Sequence, residues 1–564
     1  MYTMSYVHRP HTTPLECRTL FQLLDEQAAL RPDKEAIVYR DETGYNHRKS
    51  ITFKQYQEQS QCLAIMLLEL GLGRGDEVLL MLETSIEFIV FHMALNRIGA
   101  VALIVGPHYD DAVTELSGQI SAVAFSSQQS DVTSAVSAIV GDIKAAIFVG
   151  PDDGVSTSCH SYETLLRSGK EKPRDVLIKA ENEVQFDDLT VFIFTSGSTG
   201  IPKPCEYTHH GFVNAIIHET FACGYTSDTV IFSYAPFDWI TGSCIFTLSA
   251  LLGLTYVIFP PRLSLDSHMI GAMLGVFEEE KVTNAIVLPP FFLDLYELEG
   301  VDRYDLRKLV QLETGGQMMD KKTVKKAISK LPHTKVLVVY AATEFCTAGR
   351  TICTRDNIDS AEFGLYEIIP GFEVKIVDPE GKLVMVDTKG ELCVREAGML
   401  LRSDFMIKGH RHEAKSPTGW YFTHDRASLT SDGRLRIHGR QDNLIKCATE
   451  SIQPAEVELP LHVHECIQQV IAVGVPDQRL YEVVCACVVL NPRFRADSES
   501  AIAQINQWAC EELRANTAGI DLTRPRYYLV FDEFPKTRTG KDDRKEIKRM
   551  AAERLGLSRD GFQQ

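Results

Sequence analysis

The chain has 564 residues, which is too long for a single hydrophobic core, so we expect two or more domains. With 45% hydrophobic and 24% charged residues, its composition is that of a globular protein and argues against extensive disorder. The net charge of −18 disfavours nucleic acid or an anionic membrane as the main partner. An acidic chain that binds a phosphate compound must therefore concentrate its basic residues locally.

The termini and the cysteines favour a cytoplasmic protein. Residues 1–16 lack an apolar segment after a basic one, so no signal peptide is expected. No run approaches the roughly 18 apolar residues of a membrane span, and the C-terminus carries no peroxisomal or prenylation signal. The fourteen cysteines include no CxxC pair, which argues against a zinc site or a disulfide framework.

Apolar, strand-like runs alternate with helical patterns through the first 360 residues. Alternation of this kind predicts a layered α/β architecture with largely parallel sheets. The clearest segments are 77–82, 85–100, 101–105, 144–150, 284–292 and 335–341. From about residue 365, short apolar runs at 373–384 and 390–396 predict a smaller β-rich subdomain.

A second change of pattern falls near 433–446. Beyond it, strands are expected near 468–475 and 482–490, and a helix near 498–514. We therefore place a large N-terminal α/β domain at 1–438, a hinge at 439–442 and a mobile C-terminal α+β domain at 443–564.

A loop rich in hydroxyl groups follows the apolar run 190–194. Its sequence TSGSTG spans 195–200, and Lys203 comes shortly after. Glycines let a backbone fold around an anion, hydroxyl groups add donors, and a lysine adds a point charge. The loop is not a Walker A motif, because the residue five positions after Gly197 is Pro202 rather than glycine. Taken alone, it fits either a surface linker or a grip for an anion.

Three further stretches bear on that choice. The sequence YAATE at 340–344 follows a strand-like run, where α/β sheets expose ligand-binding loops. An aspartate lies in an expected turn within GWYFTHDRA at 419–427. Basic residues next to glycine occur in 439–446 and 535–541. Each stretch alone is also compatible with a solvated turn or helix face.

In this order and spacing, the stretches resemble the adenylate-forming superfamily, over roughly residues 18 to 548. This superfamily comprises acyl-CoA synthetases, nonribosomal-peptide adenylation domains and luciferase-like ligases. The resemblance implies that a carboxylate attacks the α-phosphorus of ATP, giving an acyl-adenylate and pyrophosphate. A thiol or another acceptor then takes the acyl group. In-line transfer of this kind depends mainly on positioning and charge neutralisation.

The resemblance also implies roles for individual residues. Thr343 would contact the α-phosphate and Glu344 would ligate Mg²⁺, a cation that prefers oxygen ligands. Tyr340 would stack on adenine, and Asp425, helped by Arg440, would accept the ribose hydroxyls. Gly315 and Gly316, in the turn 314–317, would line the base and acyl pocket. The residues expected to hold the β- and γ-phosphates are Thr195, Ser196, Gly197, Ser198, Thr199, Gly200 and Lys203.

Two residues of the C-terminal part take roles in the same way. Lys541 would bridge the substrate carboxylate and the α-phosphate, which lowers the repulsion between two anions. The alternative for Lys541 is a solvated lysine in a basic tail. Asp442 lies where the family hinges its C-terminal domain between the two half-reactions.

The acyl pocket is expected around PFDWITG at 236–242. Trp239 takes the place of an aromatic pocket residue of the relatives, and Gly242 follows in the same segment. Asp238 has two interpretations: it pairs with the ammonium group of an amino-acid substrate, or it caps a turn. An isolated carboxylate in an apolar pocket would be costly without a partner.

Several family glycines are replaced. Ala341, His424 and Pro204 stand at positions near ATP, but every charged group there is kept. Thr449 lies in the segment 446–451, which lines the pantetheine tunnel in relatives that use CoA. A side chain at that position weakens the inference of CoA as acceptor more than the inference of adenylation.

Three functions are compatible with these residues. The first is an acyl-CoA ligase that uses ATP, Mg²⁺ and CoA on a small carboxylic acid, as in fatty acid metabolism. The second is an enzyme that adenylates an amino acid or aryl acid for an amine or a separate carrier protein. The third is a nucleotide binder without turnover. The third is disfavoured by the retention of five charged residues, Lys203, Glu344, Asp425, Arg440 and Lys541.

Overall fold

The computed structural model describes most of the chain. The described residues are 3–40, 48–105, 119–128, 130–139, 141–152, 155–195, 203–261, 267–316, 319, 321–396, 406–407, 410–411, 416, 418–440, 445–448, 450–452, 454–513, 522–535 and 542–557.

Helices and strands alternate along most of the chain. The first part contains β1 (Tyr6–His8), α1 (Leu20–Leu30), β2 (Glu35–Arg40), β3 (Arg48–Thr52), α2 (Phe53–Glu69), β4 (Glu77–Met81), α3 (Ile86–Ile98), β5 (Val101–Ile104), β6 (Ala122–Ser126), α4 (Ser130–Ile139), β7 (Ala145–Val149), β8 (His160–Ser161), α5 (Tyr162–Gly169), α6 (Asp175–Glu183) and β9 (Leu189–Thr195). The second part contains β10 (Lys203–Thr208), α7 (His209–Cys223), β11 (Val230–Ser233), α8 (Ile240–Leu252), β12 (Thr255–Ile258), α9 (Ile270–Glu279), β13 (Asn284–Ile286), α10 (Pro289–Glu297), β14 (Gln311–Gly315), α11 (Lys321–Lys330), β15 (Lys335–Ala342) and β16 (Cys346–Cys353).

The remaining elements complete the chain. They are β17 (Leu365–Ile368), β18 (Glu373–Val377), β19 (Gly390–Arg395), β20 (Met406–Ile407), β21 (His410–Arg411), β22 (Tyr421–Leu429), β23 (Leu435–Arg440), β24 (Ile445–Cys447), β25 (Glu450–Ile452), α12 (Pro454–His462), β26 (Ile467–Asp477), β27 (Tyr481–Leu490), α13 (Ser498–Glu512), β28 (Tyr527–Val530) and α14 (Arg544–Arg554).

Two sheets with parallel centres dominate the first 440 residues. In the larger sheet, β2, β12, β11, β13, β14 and β15 pair in parallel in that order. In the smaller sheet, β9, β5, β4, β6, β7 and β8 do the same, and β10 pairs antiparallel to β9. Their strands are short apolar runs with little exposure, as buried parallel strands require. The predicted α/β architecture is confirmed.

The run 284–292 is not one element. It divides into β13 and α10, which begins at Pro289. Proline suits the first turn of a helix, because its missing N–H would have no partner there and its φ is already helical. The prolines within this apolar run were the signal for the division.

The β-rich part continues the larger sheet. Strand β17 pairs with β16 on one side and with β23 on the other, so β22, β19, β18 and β1 extend the same sheet. The strand β1, from the start of the chain, pairs antiparallel with β18 at the far edge. These antiparallel strands face the carboxyl end of β15, which is where the candidate site lies.

The last part of the chain forms its own sheet and core. Strands β24 to β28 form one sheet, and α12, α13 and α14 pack beside it. One cluster of buried apolar residues runs from Val7 to Ile437, and another runs from Ile445 to Ala551. The exact division at 1–438, 439–442 and 443–564 stays a prediction. Within the described residues, no helix combines the length and apolarity needed to cross a membrane.

Candidate active site

The carboxyl ends of β14 and β15 lie side by side at the candidate site. Gly315 ends β14 and is paired with Val339 of β15. A Cβ atom at Gly315 would lie 2.7 Å from Val339 Cγ2 and 2.9 Å from the Val339 carbonyl oxygen. The next residue, Gly316, has φ +79°, a conformation that favours glycine. The two glycines therefore leave the backbone without side chains at the end of β14.

Tyr340 links this edge to the antiparallel strands. Strand β15 continues through Ala342, with an irregularity between Tyr340 and Ala341. The Tyr340 hydroxyl donates a hydrogen bond of 2.6 Å to Asp425 Oδ2. Its half-buried ring lies 5.8 Å from Phe345 and 5.9 Å from Tyr366, measured between ring centroids. The structure thus brings two of the predicted nucleotide contacts together.

Asp425 lies in a strand, so the prediction of a turn at this position was wrong. It belongs to β22, where antiparallel pairing with β19 and β23 keeps the backbone extended after the aromatic run. Its partner across the strand pair is Arg440, the residue expected to assist it. Burial, together with the negative charge of Asp425, raises the pKa of Tyr366 to about 12.

His424, next to Asp425, stands where the family resemblance implies glycine. Its φ is +58°, in the left-handed region. A residue with a Cβ atom adopts that region at a cost of about 1–2 kcal/mol. His424 Nδ1 lies 3.1 Å from Glu391 Oε1, a contact that glycine would lack. His424 therefore adopts a backbone conformation that glycine adopts more readily, and it adds a contact to Glu391.

Thr343 and Glu344 occupy the turn between β15 and the antiparallel β16. Glu344 is half-buried, and its Oε1 accepts a hydrogen bond of 2.8 Å from the Tyr421 hydroxyl. A carboxylate oriented by a neutral donor is an oxygen ligand that fits a hard cation such as Mg²⁺. The turn ends at Cys346, whose φ of +53° reverses the chain.

The hairpin that carries the predicted phosphate loop touches the same turn. Strands β9 and β10 pair antiparallel, with Thr195 opposite Lys203. From β10, the buried Tyr207 hydroxyl donates to the carbonyl oxygen of Thr343. Thr195 and Lys203 thus end the two strands of a hairpin that is fixed to the Thr343–Glu344 turn.

The turn before α8 carries the expected acyl-pocket residues. Asp238 and Trp239 are half-buried in this turn. The ring of the adjacent Phe237 packs against Phe88 and Phe246, with distances between ring centroids of 5.0 and 5.2 Å. A Cβ atom at Gly242 would lie 2.1 Å from the Pro236 carbonyl oxygen, so only glycine permits this close start of α8. The turn that carries Asp238 and Trp239 is therefore held against the backbone of Pro236 and packs on aromatic rings.

A residue from the C-terminal part interacts electrostatically with this turn. Burial, followed by the charges of Asp238 and Glu456, raises the pKa of Glu450 to about 8. Glu450 starts β25 in the hairpin formed by β24 and β25. The hairpin of the second core therefore lies close to the acyl-pocket turn of the first.

Several predicted residues lie outside the described part of the structure. They are Ser196, Gly197, Ser198, Thr199, Gly200, Asp442 and Lys541, together with Thr449 and the side chains of Thr195, Lys203 and Arg440. The roles assigned to them stay predictions.

Four residues at or beside the site were not predicted from the sequence. Tyr207 and Tyr421 donate hydrogen bonds to Thr343 and Glu344, Tyr366 flanks Tyr340, and the pKa of Glu450 is raised in part by Asp238. The only signal for Tyr421 was its place in the aromatic run 419–422. Tyr207, Tyr366 and Glu450 come from elements that are distant in sequence, so spacing alone could not reveal them.

Comparison with known proteins agrees with this geometry. The family model described as AMP-binding enzyme matches residues 24–402, and the model of the AMP-binding enzyme C-terminal domain matches residues 456–541. The chain belongs to this family. The resemblance inferred from the motifs, and the expected class of AMP-forming acid–thiol ligases, are confirmed.

Curated relatives match over nearly the whole chain. "Medium-chain acyl-CoA ligase ACSF2, mitochondrial" of Danio rerio is 28% identical and aligned over 98% of this chain and 92% of its own length. "4-coumarate--CoA ligase CCL1" of Humulus lupulus is 26% identical over 88% of each chain.

Solved structures share the fold. The amide bond synthetase McbA from Marinactinospora thermotolerans has a TM-score of 0.75 at 19% identity, covering 94% of this chain and 99% of its own. The o-succinylbenzoate CoA synthetase MenE from Bacillus subtilis has a TM-score of 0.72 at 18% identity, covering 95% and 99%. These two likenesses show a common fold.

Proposed function

We propose that this protein activates a carboxylic acid with ATP, releases pyrophosphate and transfers the acyl group to CoA. The observation that carries the proposal is the arrangement at the ends of β14 and β15. There, the Tyr340 hydroxyl donates a hydrogen bond to Asp425, and the Tyr421 hydroxyl donates one to Glu344. Two glycines leave the backbone at the end of β14 without side chains. A ribose acceptor, a metal ligand and an aromatic ring would thus surround one space.

The first half-reaction is an in-line displacement. An oxygen of the substrate carboxylate forms a bond to the α-phosphorus, and the bond from that phosphorus to the pyrophosphate oxygen breaks. Thr343 would bind the α-phosphate, while the hairpin loop 195–200 and Lys203 would hold the β- and γ-phosphates. Lys541 would bridge the two reacting anions. Glu344 would hold Mg²⁺, which supplies positive charge to the phosphates when bound.

The second half-reaction transfers the acyl group from AMP to a thiol. The sulfur of CoA attacks the acyl carbon, and the bond from that carbon to the AMP oxygen breaks. The support for CoA is the set of curated relatives, whose names describe CoA ligases. Thr449 argues in the other direction, because it adds a side chain where the relatives have glycine.

A second candidate is transfer to an amine or a carrier protein, with an amino acid or aryl acid as the substrate. Asp238 favours it, because a carboxylate beside the acyl pocket, next to Glu450, suits a cationic group. The fold is also shared with an amide bond synthetase. A role in fatty acid metabolism and a cytoplasmic location remain part of the first proposal, although one relative is named as mitochondrial.

The test is a screen for pyrophosphate release with MgATP. It should cover medium-chain fatty acids, hydroxycinnamic acids and amino acids, each with and without CoA. The expected result is pyrophosphate and AMP, with a thioester when CoA is present. ADP and orthophosphate as products would contradict the proposal. Adenylate without thioester, followed by amide formation when an amine is added, would establish the second candidate instead.

A further inference from the structure

Arg479 and Asp294 form an ion pair between the two cores. Arg479 Nε donates to Asp294 Oδ1 at 2.8 Å, and a terminal nitrogen of the same guanidinium donates to Oδ2 at 2.5 Å. Asp294 lies on α10 of the first core, whereas Arg479 lies in the turn between β26 and β27 of the second. The side chains of Asp294 and Arg479 are 10% and 28% exposed, so this two-point contact is shielded from solvent on the Asp294 side.

Both partners are held rigidly in their own domains. Asp477 Oδ1 accepts from the backbone N–H groups of Arg479 and Leu480, and its Oδ2 accepts from Arg526. On the other side, the Tyr234 hydroxyl accepts a hydrogen bond from the N–H of Leu288, just before α10 begins. An ion pair between two such fixed groups constrains the relative position of the domains more than a pair of flexible surface side chains would.

The Arg479 turn is joined directly to the hairpin of β24 and β25. The backbone N–H of Ala448 donates to the carbonyl oxygen of Leu480 at 2.7 Å, and Cys447 pairs with Tyr481. The charge of Asp238 acts on Glu450 of the same hairpin and helps to raise its pKa. On the first core, Tyr234 leads into the turn that holds Asp238. The ion pair and the turn that carries Asp238 therefore belong to the same contact between the domains.

We propose that Arg479 and Asp294 are positioning residues that hold the 445–452 hairpin against the acyl pocket for the acyl-transfer step. This inference rests on the proposed function, since it assigns the observed arrangement of the domains to the second half-reaction. Asp294 lies on α10 and Arg479 in the turn between β26 and β27, so neither residue belongs to β15, β22 or the turn before β16, which carry Tyr340, Asp425 and Glu344. Its loss should therefore slow transfer from the adenylate to CoA and leave adenylate formation nearly unchanged.

The experiment measures the two half-reactions separately in Arg479→Gln and Asp294→Asn. Adenylate formation is followed by pyrophosphate exchange, and transfer by single-turnover thioester formation from preformed adenylate. Transfer should fall at least about tenfold, the effect of breaking a shielded charge pair, with adenylation within about twofold of wild type. The charge exchange Arg479→Asp with Asp294→Arg should recover part of the loss.

Arg493→Gln is the matched control. Arg493 pairs with Glu465 at 2.8 Å within the C-terminal core, and their side chains are 66% and 64% exposed. This variant removes the same charge from an exposed pair outside the contact between the cores, so both rates should stay at the wild-type level. Equal rates in all variants, or an equal loss in both half-reactions of Arg479→Gln, would overturn the proposal.

Hydrogen–deuterium exchange distinguishes failure of this inference from failure of the proposed function. If the wild type makes no thioester, the activity assays test only the proposed function. In that case the amides of α10 and of residues 477–481 should still exchange faster in Arg479→Gln than in Arg493→Gln. Unchanged exchange in both segments would show that the pair does not hold the domains together.

Discussion

Tyrosine hydroxyl groups orient the two carboxylates of the site. Tyr340 donates to Asp425 and Tyr421 donates to Glu344, at 2.6 and 2.8 Å. A hydrogen bond from a neutral donor to a carboxylate fixes one oxygen without neutralising the charge, so the carboxylate can still bind a cation or a hydroxyl group. Orientation in advance lowers the reorganisation needed when ATP binds.

The Glu344→Gln substitution should abolish pyrophosphate release while the protein stays folded. Glutamine keeps the shape and can still accept from Tyr421, but it lacks the negative charge that would hold Mg²⁺. Tyr421→Phe is the companion variant, since it removes only the orienting hydroxyl. It should retain activity but require more Mg²⁺. Wild-type activity of Glu344→Gln at limiting Mg²⁺, measured by pyrophosphate release, would reject the assignment.

At the scale of elements, the start of α8 fixes the turn that is proposed to line the acyl pocket. Gly242 is essential there, because the Pro236 carbonyl oxygen occupies the space of its Cβ atom. Carbonyl oxygens of the backbone cannot move aside as flexible side chains do. The turn with Asp238 and Trp239 is therefore fixed by contact between two backbone segments.

Gly242→Ala should lower the free energy of unfolding by about 1–3 kcal/mol, the usual cost of overpacking. Because α8 must shift, the KM for the acid should rise while the KM for ATP stays nearly unchanged. Gly73→Ala is the control, since a Cβ atom at Gly73 meets no other atom within 4 Å. Thermal unfolding and steady-state kinetics check both variants. Equal stability of the two would contradict the close contact at Gly242.

Much of the element order could be predicted because local patterns and tertiary packing agree. Apolar runs such as 77–82 and 335–341 became β4 and β15, since both are short, β-prone and buried. The predicted strands and helix after residue 460 correspond to β26, β27 and α13. In these segments, the residues that favour a strand or a helix by their own propensity are also the residues that become buried when it packs.

The features that were predicted wrongly or missed depend on contacts between segments that are distant in sequence. The 419–427 segment looked like a turn because it contains a polar group after aromatics, but pairing with β19 and β23 keeps it extended. Likewise, nothing near Tyr207 or Glu450 in sequence indicates that they approach Thr343 or Asp238. Contacts of this kind are set by the packing of whole sheets and domains.

At the scale of the whole molecule, the raised pKa of Glu450 implies that stability should depend on pH. Burial and the charges of Asp238 and Glu456 raise the pKa of Glu450 to about 8 from an ordinary 4.5. As pH rises from 4.5 to 8, the unfolded chain loses this proton while the folded protein retains it. The contribution of Glu450 to stability is therefore complete below the ordinary pKa and is lost as pH rises through the folded value.

Glu450→Gln should flatten that part of the pH dependence. Glutamine cannot ionise, so at about pH 8 the variant should have a higher Tm than the wild type, and at about pH 5 the two should be similar. Asp238→Asn should act in the same direction, because it removes one of the charges that raise the pKa of Glu450. Melting curves across this pH range provide the measurement. Parallel Tm curves for all three proteins would contradict it.

Variants at Lys541 and Asp442 should separate the two half-reactions of the whole chain. Lys541 is assigned only to adenylation, so Lys541→Ala should slow adenylate formation by roughly 10²–10³-fold, the usual cost of one transition-state charge contact. It should still convert supplied acyl-adenylate and CoA to thioester.

Asp442→Pro should have the opposite effect. Proline fixes φ, so a hinge at Asp442 could no longer move the C-terminal domain between its two positions. We expect adenylate to form while the yield of thioester falls. Quenched-flow measurement of both products checks the pair of variants. Loss of both half-reactions in both variants would mean that Lys541 and Asp442 do not act separately. A wild type that makes adenylate but no thioester would point to Thr449, and Thr449→Gly should then restore transfer.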